Sequence, residues 1–347
     1  MLSSLRSHQS SLLIYLLALA LLWSNAYLLL ANHPPTYTGD ESSYLRMAAG
    51  HFDVPVTHRY RVVVPLAAGA LAHALHAVTP PSFADKLPLG ISFFLVNGLL
   101  LALAGLGLFR TARAHGAAPG PALVGMAAVM TSGAATYVTG LALVDSAVVL
   151  AVVGLYYALQ IRSGPLLLAT ALLGPLLKES FVLFLPLVLV YGGFVPLWQR
   201  LLALLGAAVL VLGVHALVDA QVPAAAVDSL ANALEHGQNV GSNLRWLLSA
   251  RGLFICSGVF GLFNLVLLAG LWGGRAAIRR WLPLLPAGPV VLLLAAVLAH
   301  MLLSGEMSRM LLLAAPVVAT AVALVLDRHP LFAGLRPALG PATEKQP

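Results

Sequence analysis

The sequence predicts an all-α, polytopic membrane protein, and three observations support this prediction. Hydrophobic residues make up 60% of the 347-residue chain and charged residues only 9%, whereas an ordinary soluble domain has about 45–50% and about 25%. The apolar residues form runs of the length that crosses a bilayer as a helix, roughly 17–25 residues. The basic residues are dispersed between these runs and form no patch or stripe. The net charge of +7 therefore does not indicate a nucleic-acid partner.

Polar breaks divide the apolar sequence into about ten predicted membrane spans, two of them short. These spans lie near 11–32, 87–109, 120–140, 141–160, 165–177, 181–195, 200–218, 251–273, 283–303 and 310–326. The first run is too long for the apolar region of a signal peptide and shows no clear small-residue cleavage site, so we expect a retained membrane helix. The spans form a single transmembrane domain over residues 1–326, followed by a Pro/Gly-rich cytoplasmic tail at 327–347 that composition predicts to be disordered.

The basic residues predict the orientation of the spans. With the N-terminus in the cytoplasm, the cytoplasmic segments hold Arg6, Arg110, Arg113, Arg162, Arg200, Arg275, Arg279, Arg280, Arg328, Arg336 and Lys345. This is the positive-inside pattern, and it predicts that both termini are cytoplasmic in a bacterial inner membrane. Ten of the acids then fall on the outer, periplasmic side: Asp40, Glu41, Asp53, Asp85, Asp145, Glu179, Asp219, Asp228, Glu235 and Glu306. Acids contribute little to orientation, so their bias needs a functional or packing reason.

The outer side carries the longest polar passage. The first periplasmic loop, 33–86, contains two helical patterns at 41–50 and 62–78 that we expect to lie in the membrane interface. If 62–78 were instead a span, every later loop would be inverted. A second outer loop covers 219–250. The run 165–195 exceeds one span and is interrupted by charges near residue 178, which predicts two short helices that meet at an outward-facing elbow.

The first loop also holds the candidate chemistry. Asp40 and Glu41 precede a helix, where they can simply cap it and favour its first turn. Arg59 and Arg61 follow in the same loop, and guanidinium groups bind phosphate well. A carboxylate that activates an acceptor and cations that hold a phosphate leaving group are the minimum parts for transfer from a lipid phosphate.

Four motifs resemble the GT-C glycosyltransferases, such as protein O-mannosyltransferases and aminoarabinose transferases. They are GDESSYLRMA directly after the first span, HRYRVVVPLAAGALAHAL after the loop, LVDSAVVLAVVGLYYAL at 143–159 and LLKESFVLFLPL at 176–187. They cover roughly the first 200 residues in order and spacing. The chain differs from larger family members because it has fewer spans and no sizeable soluble domain after the last one. A small or lipid-borne acceptor is therefore easier to accommodate than a protein.

The resemblance implies a GT-C-like fold, a periplasmic active site, a polyprenyl-phosphate sugar donor and an inverting transfer. Asp40 would be the general base, supported by Glu41. Donor phosphate would be held by residues among Arg59, Arg61, Lys178 and Arg309. No metal or other cofactor is expected; membrane lipid is the other expected partner, and the oligomeric state stays open.

Other residues allow two interpretations each. Asp145 either completes the site or pairs with an arginine, and Glu179 either forms an internal ion pair with Lys178 or acts as a second acid. Tyr44, with two other loop tyrosines, suits interfacial anchoring or sugar stacking. The loop histidines show no zinc spacing, and loop histidines are usually solvated.

Two other functions remain open at this point. A transporter or flippase of a lipid-linked or anionic substrate would use the same outer cations and a broken helix such as 165–195. A non-catalytic membrane subunit would use the acids only as caps and ion pairs.

Overall fold

The computed structural model describes residues 2–32, 39–78, 89–222, 240–304 and 306–339, and in these ranges the protein contains helices and no strand. The α-helices are α1 (Leu2–Asn32), α2 (Gly39–Ala48), α3 (Val56–Arg59), α4 (Val63–Val78), α5 (Leu89–Ala114), α6 (Pro119–Met130), α7 (Gly133–Gly140), α8 (Asp145–Ile161), α9 (Gly164–Leu177), α10 (Leu185–Tyr191), α11 (Leu197–Asp219), α12 (240–247), α13 (Ala250–Val259), α14 (Phe263–Gly270), α15 (Gly274–Ile278), α16 (Ala287–Leu303), α17 (Met307–Leu311) and α18 (Ala315–Arg328). Short 3-10 helices occupy Glu179–Phe184, Leu282–Leu284, Leu312–Ala314 and Pro330–Leu335.

The all-helical class and its membrane character are confirmed, but the count of ten spans is not. Four helical segments are long and apolar enough to cross a membrane: Gln9–Asn32, Leu89–Ala114, Leu197–Asp219 and Met307–Arg328. Three bent helix pairs raise the number to seven if each pair is one span. Four further apolar helices are shorter, namely α4, α8, α9 and the segment Glu179–Tyr191.

The bent pairs explain why hydropathy alone overstates the regularity of the spans. The runs predicted at 120–140 and 251–273 each consist of two helices, with bends of 56° between α6 and α7 and 99° between α13 and α14. Ser132 starts α7 by accepting a hydrogen bond from the Ala135 backbone N–H at 3.1 Å. Gly261, between α13 and α14, has a φ of +52° that glycine adopts without strain. Single residues thus redirect the chain inside apolar runs.

The bundle is built around α5 and the last helical segment. Helix α5 packs against α1, α4, α6, α8 and α18. The most apolar part of Met307–Arg328 is 89% buried, whereas that of α11 is only 11% buried and presents leucines outward. Close packing depends on small residues, since a Cβ on Gly125 of α6 would overlap the Ala319 carbonyl oxygen of α18. Arg309 therefore stands at the start of the most buried segment.

The elbow predicted near residue 178 is present. Helix α9 contains Pro175 and ends at Leu177, Lys178 is extended, and the chain resumes as the 3-10 helix Glu179–Phe184 and α10. The break lets a lysine enter the bundle without placing it in the middle of a lipid-facing helix.

The first loop contains the two expected helices, observed as α2 and α4. They pack closely, because a Cβ on Gly69 of α4 would overlap the carbonyl oxygen of Ala48 in α2. Met47 of α2 is fully buried in a cluster with Phe93 of α5. The loop is therefore fixed to the bundle; its placement in a membrane interface stays a prediction, as does the face it occupies.

The chain after residue 327 differs from the disorder that composition predicts. Helix α18 continues to Arg328, and the 3-10 helix Pro330–Leu335 packs against it. His329 joins the two elements: its Nδ1 accepts a hydrogen bond from the Leu331 backbone N–H at 3.3 Å, and its Nε2 lies 2.9 Å from the Trp272 carbonyl oxygen. Residues 340–347 of the tail, and 223–239 of the second outer loop, lie outside the described residues.

The bundle has two chemically different ends. Asp145 starts α8 and Arg162 follows its last residue, 17 helical residues later, which is about 25 Å at 1.5 Å per residue. We call these the Asp145 end and the arginine end; Asp40, Lys178 and Arg309 lie at the former.

Candidate active site

A cleft of about 850 Å³ opens at the Asp145 end of the bundle. It lies between the start of α2, helices α7 and α13, and α17. Its polar lining consists of Asp40, Tyr137, Arg251, Glu306, Ser308 and Arg309. The rest is small or apolar, mainly from α7 and α13. The cleft therefore combines two carboxylates and two guanidinium groups with an apolar wall.

Asp40 is the carboxylate that reaches this cleft from α2. Arg309 donates from Nη2 to Asp40 Oδ2 at 2.8 Å, and His58 Nε2 lies 3.1 Å from Oδ1. His58 is held in turn, because its Nδ1 lies 3.1 Å from the Ser43 hydroxyl. The Asp40 side chain remains 26% exposed. It is thus oriented by two partners and still accessible from the cleft.

Behind Asp40, Arg309 connects the cleft to a buried ion pair. Arg309 Nη1 lies 3.6 Å from Asp145 Oδ2, and Lys178 Nζ lies 2.9 Å from Asp145 Oδ1. Asp145 and Lys178 are each only 7% exposed at the side chain. A run of alternating charges, Asp40, Arg309, Asp145 and Lys178, therefore leads from the cleft into the bundle.

The two partners of Asp40 determine its protonation. Burial alone raises the pKa of Asp40, but the hydrogen bonds from His58 and Arg309 and the positive charge of Arg309 together outweigh it, so the pKa lies well below its ordinary value. Asp40 is consequently ionised at neutral pH, as a proton acceptor must be. The same two donors weaken it as a base, because a carboxylate with a lowered pKa holds a proton less strongly.

Glu41 does not support Asp40 in the way that the sequence predicts. Its side chain is buried and accepts a hydrogen bond at 3.2 Å from the backbone N–H of Ala142, between α7 and α8. Asp40 and Glu41 are adjacent on a helix, and neighbouring positions do not face each other. We therefore interpret Glu41 as the residue that positions α2 against the bundle.

The predicted phosphate-binding cations divide into two groups. Arg309 lines the cleft, whereas the other three are engaged elsewhere. Arg59 is buried, donates to the Val54 carbonyl oxygen and pairs with Asp219 of α11 at 3.4 Å. Lys178 is buried against Asp145, away from the cleft lining.

Arg61 forms a separate contact behind α2. It donates from Nη1 to the Tyr44 hydroxyl at 2.9 Å, and its Nε lies 3.5 Å from Glu179 Oε2. The ion pair of Glu179 is therefore with Arg61, and the expected pairing with the adjacent Lys178 is wrong. Asp145, for which the sequence allows either a place in the site or a pair with an arginine, contacts both Lys178 and Arg309.

The loop tyrosines lie inside the protein. Tyr44 is 1% exposed and Tyr60 is 9% exposed, stacked at 3.6 Å on the ring of His215. Burial raises the pKa of Tyr44 to about 12, even though Arg61 acts to lower it. Neither ring is placed for anchoring in lipid or for stacking on a sugar in the cleft; Tyr37 lies outside the described residues.

Two residues of the site escaped the sequence analysis. His58 was expected to be solvated, yet its ring contacts the Asp40 carboxylate. Its position directly before the arginines of the same loop was the feature of the sequence that could have indicated this role. Arg251 starts the wall formed by α13, is exposed, and makes no ion pair with another described residue. It lies about 200 residues from the loop in sequence, so no local pattern associates them.

Within the described ranges, no group of three or more His, Cys, Asp or Glu side chains could hold a metal ion. Comparison with protein-family models, curated proteins and solved structures returned no match for this chain. The geometry of the cleft is therefore the basis for assigning a function.

Proposed function

We propose that the chain is a GT-C-like, inverting glycosyltransferase that moves a sugar from a polyprenyl phosphate to a lipid-borne or small acceptor. The observation that carries this proposal is the Asp40 carboxylate, which faces an 850 Å³ cleft while two partners, His58 and Arg309, fix its orientation. A carboxylate and a guanidinium in one cleft supply both parts of the reaction, proton removal and phosphate binding.

The proposed step is a direct displacement at the anomeric carbon of the sugar. The acceptor oxygen forms a bond to that carbon while the bond between the carbon and the donor phosphate oxygen breaks. The acceptor proton passes to Asp40, and the bonding electron pair leaves with the phosphate, which departs as polyprenyl phosphate. Inversion follows because the acceptor and the leaving phosphate occupy opposite faces of the carbon.

Arg309 links the two parts of this reaction. It contacts both Asp40 and Asp145, and the connected ion pairs of Asp40, Arg309, Asp145 and Lys178 hold two negative and two positive charges. A donor phosphate thus competes with Asp40 for Arg309. As Arg309 turns to the phosphate, Asp40 loses a donor, its pKa rises, and it becomes the stronger base that the displacement requires.

Arg251 supplies a second cation for the phosphate. It lines the same cleft as Arg309 but belongs to a different helix, α13. Two guanidinium groups from separate walls can hold different oxygens of one phosphate. Arg251 and Arg309 therefore replace the set of four cations expected from the sequence.

The apolar wall suits a lipid-linked substrate. Ile255 and Val259 of α13 line the cleft, and on the same helix Leu253 and Phe254 are 57% and 79% exposed. In a membrane this helix presents apolar surface to lipid beside the cleft. A polyprenyl chain can remain in the bilayer along α13 while its phosphate reaches the two arginines.

The reaction belongs, on this proposal, to the periplasmic face of a bacterial inner membrane and thus to the cell envelope. The acceptor would approach from outside and the donor from the outer leaflet. This orientation follows from the positive-inside pattern. Cysteine-accessibility labelling at Ser42, an exposed residue of α2, checks it directly.

The test is donor consumption by the purified protein in nanodiscs. Wild type is presented with a panel of radiolabelled polyprenyl-phosphate sugars, and free lipid phosphate and transferred or released sugar are counted. Asp40→Asn should slow consumption of the donor that wild type uses by about 10²–10⁴-fold. Asp53→Asn is the matched control, because it removes the same charge from the same loop. Asp53 pairs with Arg46 on the exposed surface. Equal loss in both variants would refute the assignment.

One observation favours a second function, transport of an anionic or lipid-linked substrate. The buried pair of Lys178 and Asp145 lies at a broken helix, and transporters place ion and substrate sites at such breaks. A transporter would move the intact labelled donor across a liposome membrane without separating sugar from phosphate. Recovery of intact donor on the far side would therefore replace the transferase proposal.

A further inference from the structure

The arginine end of the bundle contains a second charged cavity. It has a volume of about 380 Å³ and is lined by Arg280, Asp327, Arg328 and Arg336. The arginines come from three places: the turn after α15, the last residue of α18, and the residue after the 3-10 helix Pro330–Leu335. Arg328 lies 19 residues after Arg309 in the segment Met307–Arg328, which is about 28 Å along a helix.

The cavity carries a surplus of positive charge. Asp327 Oδ2 lies 2.8 Å from Arg328 Nε, a charge contact without hydrogen-bond geometry, and it balances one of the three guanidinium groups. Arg336 donates from Nη2 to the His329 carbonyl oxygen at 3.0 Å, but its Nε is buried with no hydrogen-bond partner among the described residues. Arg280 is exposed and forms no ion pair within the described ranges. Two positive charges and one buried donor are thus left for an anion.

Membrane topology explains the side on which these arginines lie but not their convergence. The positive-inside rule requires basic residues in short loops and is satisfied wherever they point. The two guanidinium groups that Asp327 does not balance, those of Arg280 and Arg336, repel each other unless a further anion lies between them. A phosphate group, with oxygens that accept several charge-assisted hydrogen bonds, fits such a set.

The surroundings indicate that the phosphate belongs to a lipid. Leu331 and Leu335, on the 3-10 helix before Arg336, are 61% and 52% exposed, and Trp272 is 77% exposed at the end of α14. Exposed tryptophan and leucine beside basic residues at the ends of spans are typical of a membrane interface. Basic pockets between membrane helices on the cytoplasmic side bind the headgroups of anionic lipids.

We infer that this cavity, lined by Arg280, Arg328 and Arg336, binds the phosphate of an anionic phospholipid headgroup. The fixed turn at His329 holds Arg336 in place, and the folded tail is thereby part of the site. The inference is independent of the chemistry at Asp40, since it uses no residue of the cleft.

The test compares variants that remove the same charge from the same end of the bundle. Arg280→Gln with Arg336→Gln removes two cavity arginines but leaves the pair of Asp327 and Arg328. Arg275→Gln with Arg279→Gln is the control, since both residues are exposed near the same turn and do not line the cavity. The single variant Arg280→Gln, at an exposed side chain, serves as a second test if the double variant does not fold.

Full-length protein is placed in nanodiscs of phosphatidylglycerol and phosphatidylcholine and then released from them. The lipids that stay bound to the released protein are counted by native mass spectrometry. Wild type and the control should retain phosphatidylglycerol, and the cavity variants should bind it at least about tenfold more weakly, since each lost charge-assisted contact weakens binding. Equal retention by the cavity variants and the control would overturn the inference. Displacement of the lipid by millimolar inorganic phosphate would also overturn it, because the site would then bind free phosphate.

Discussion

Lys178→Met is expected to destabilise the protein through the aspartate that it leaves behind. Lys178 Nζ lies 2.9 Å from Asp145 Oδ1, both side chains are 7% exposed, and the Met310 sulfur lies 3.7 Å from Nζ. Methionine has a similar length and meets an apolar neighbour, so the substitution leaves little empty space. Its main effect is to remove one partner of a buried charge pair.

The size of the expected loss in unfolding free energy depends on the partner that Asp145 keeps. Removal of one partner of a buried pair typically costs about 3–5 kcal/mol. Asp145 keeps Arg309 Nη1 at 3.6 Å, which places the expected loss at the lower end, about 3 kcal/mol. For a chain of this size about 2 °C of melting temperature corresponds to 1 kcal/mol, so the expected shift is about 6 °C downward.

A double-mutant cycle measures this loss by thermal unfolding in nanodiscs. Lys178→Met with Asp145→Asn removes both charges, so we expect it to be no less stable than Lys178→Met alone, which requires a coupling of about 3 kcal/mol. Arg46→Met is the control, because its pair with Asp53 is exposed and should contribute nothing measurable. An additive double variant, or a Lys178→Met variant with an unshifted melting temperature, would show that the pair of Lys178 and Asp145 does not stabilise the fold.

Three further predictions concern packing, pH and the orientation of Asp40. Gly125→Ala should destabilise the protein by about 1–3 kcal/mol, because the new Cβ overlaps a backbone oxygen of α18. Gly213→Ala in α11, which has open space around it, should be neutral or stabilising in the same thermal unfolding experiment. The folded-state pKa of Asp40 lies below its ordinary value of 3.8. The contribution of the Asp40 charge to the stability of the fold is therefore complete above about pH 4 and is lost as the pH falls further. The difference in unfolding free energy between wild type and Asp40→Asn should shrink from pH 7 to pH 3. His58→Phe removes one of the two groups that orient Asp40. The pKa of Asp40 rises as a result, but we expect the lost orientation to outweigh this gain and to slow sugar transfer about tenfold with donor affinity unchanged, as tested by kinetics and binding on one preparation.

The sequence predicts local features of this protein well. The helices expected at 41–50 and 62–78 appear as Gly39–Ala48 and Val63–Val78, because polar residues and prolines delimit them in the chain itself. The elbow at Lys178 is predictable for the same reason, since a charge inside an apolar run is unfavourable in lipid.

Charge pairing is not predictable in this way, because it depends on how helices pack. Asp40 has three arginines within its own loop, yet the arginine that contacts it is Arg309, 269 residues away. Arg46 pairs with Asp53 of the same loop, whereas Arg59 and Arg61 are held by Asp219 and Glu179, which come from later helices. Nothing in the local sequence distinguishes these pairings, since all of the residues lie on the same predicted side.

The most direct test of the central claim is transfer by Asp40→Asn with the donor that wild type consumes. Donor binding and sugar transfer are measured on the same nanodisc preparation, under single-turnover conditions. If Asp40 is the base, the variant should bind the donor at least as tightly as wild type, because Arg309 is released from Asp40, and should transfer the sugar about 10²–10⁴-fold more slowly. If the variant transfers at the wild-type rate, or if wild type binds none of the polyprenyl-phosphate sugars, Asp40 is not a catalytic base and the glycosyltransferase proposal is wrong.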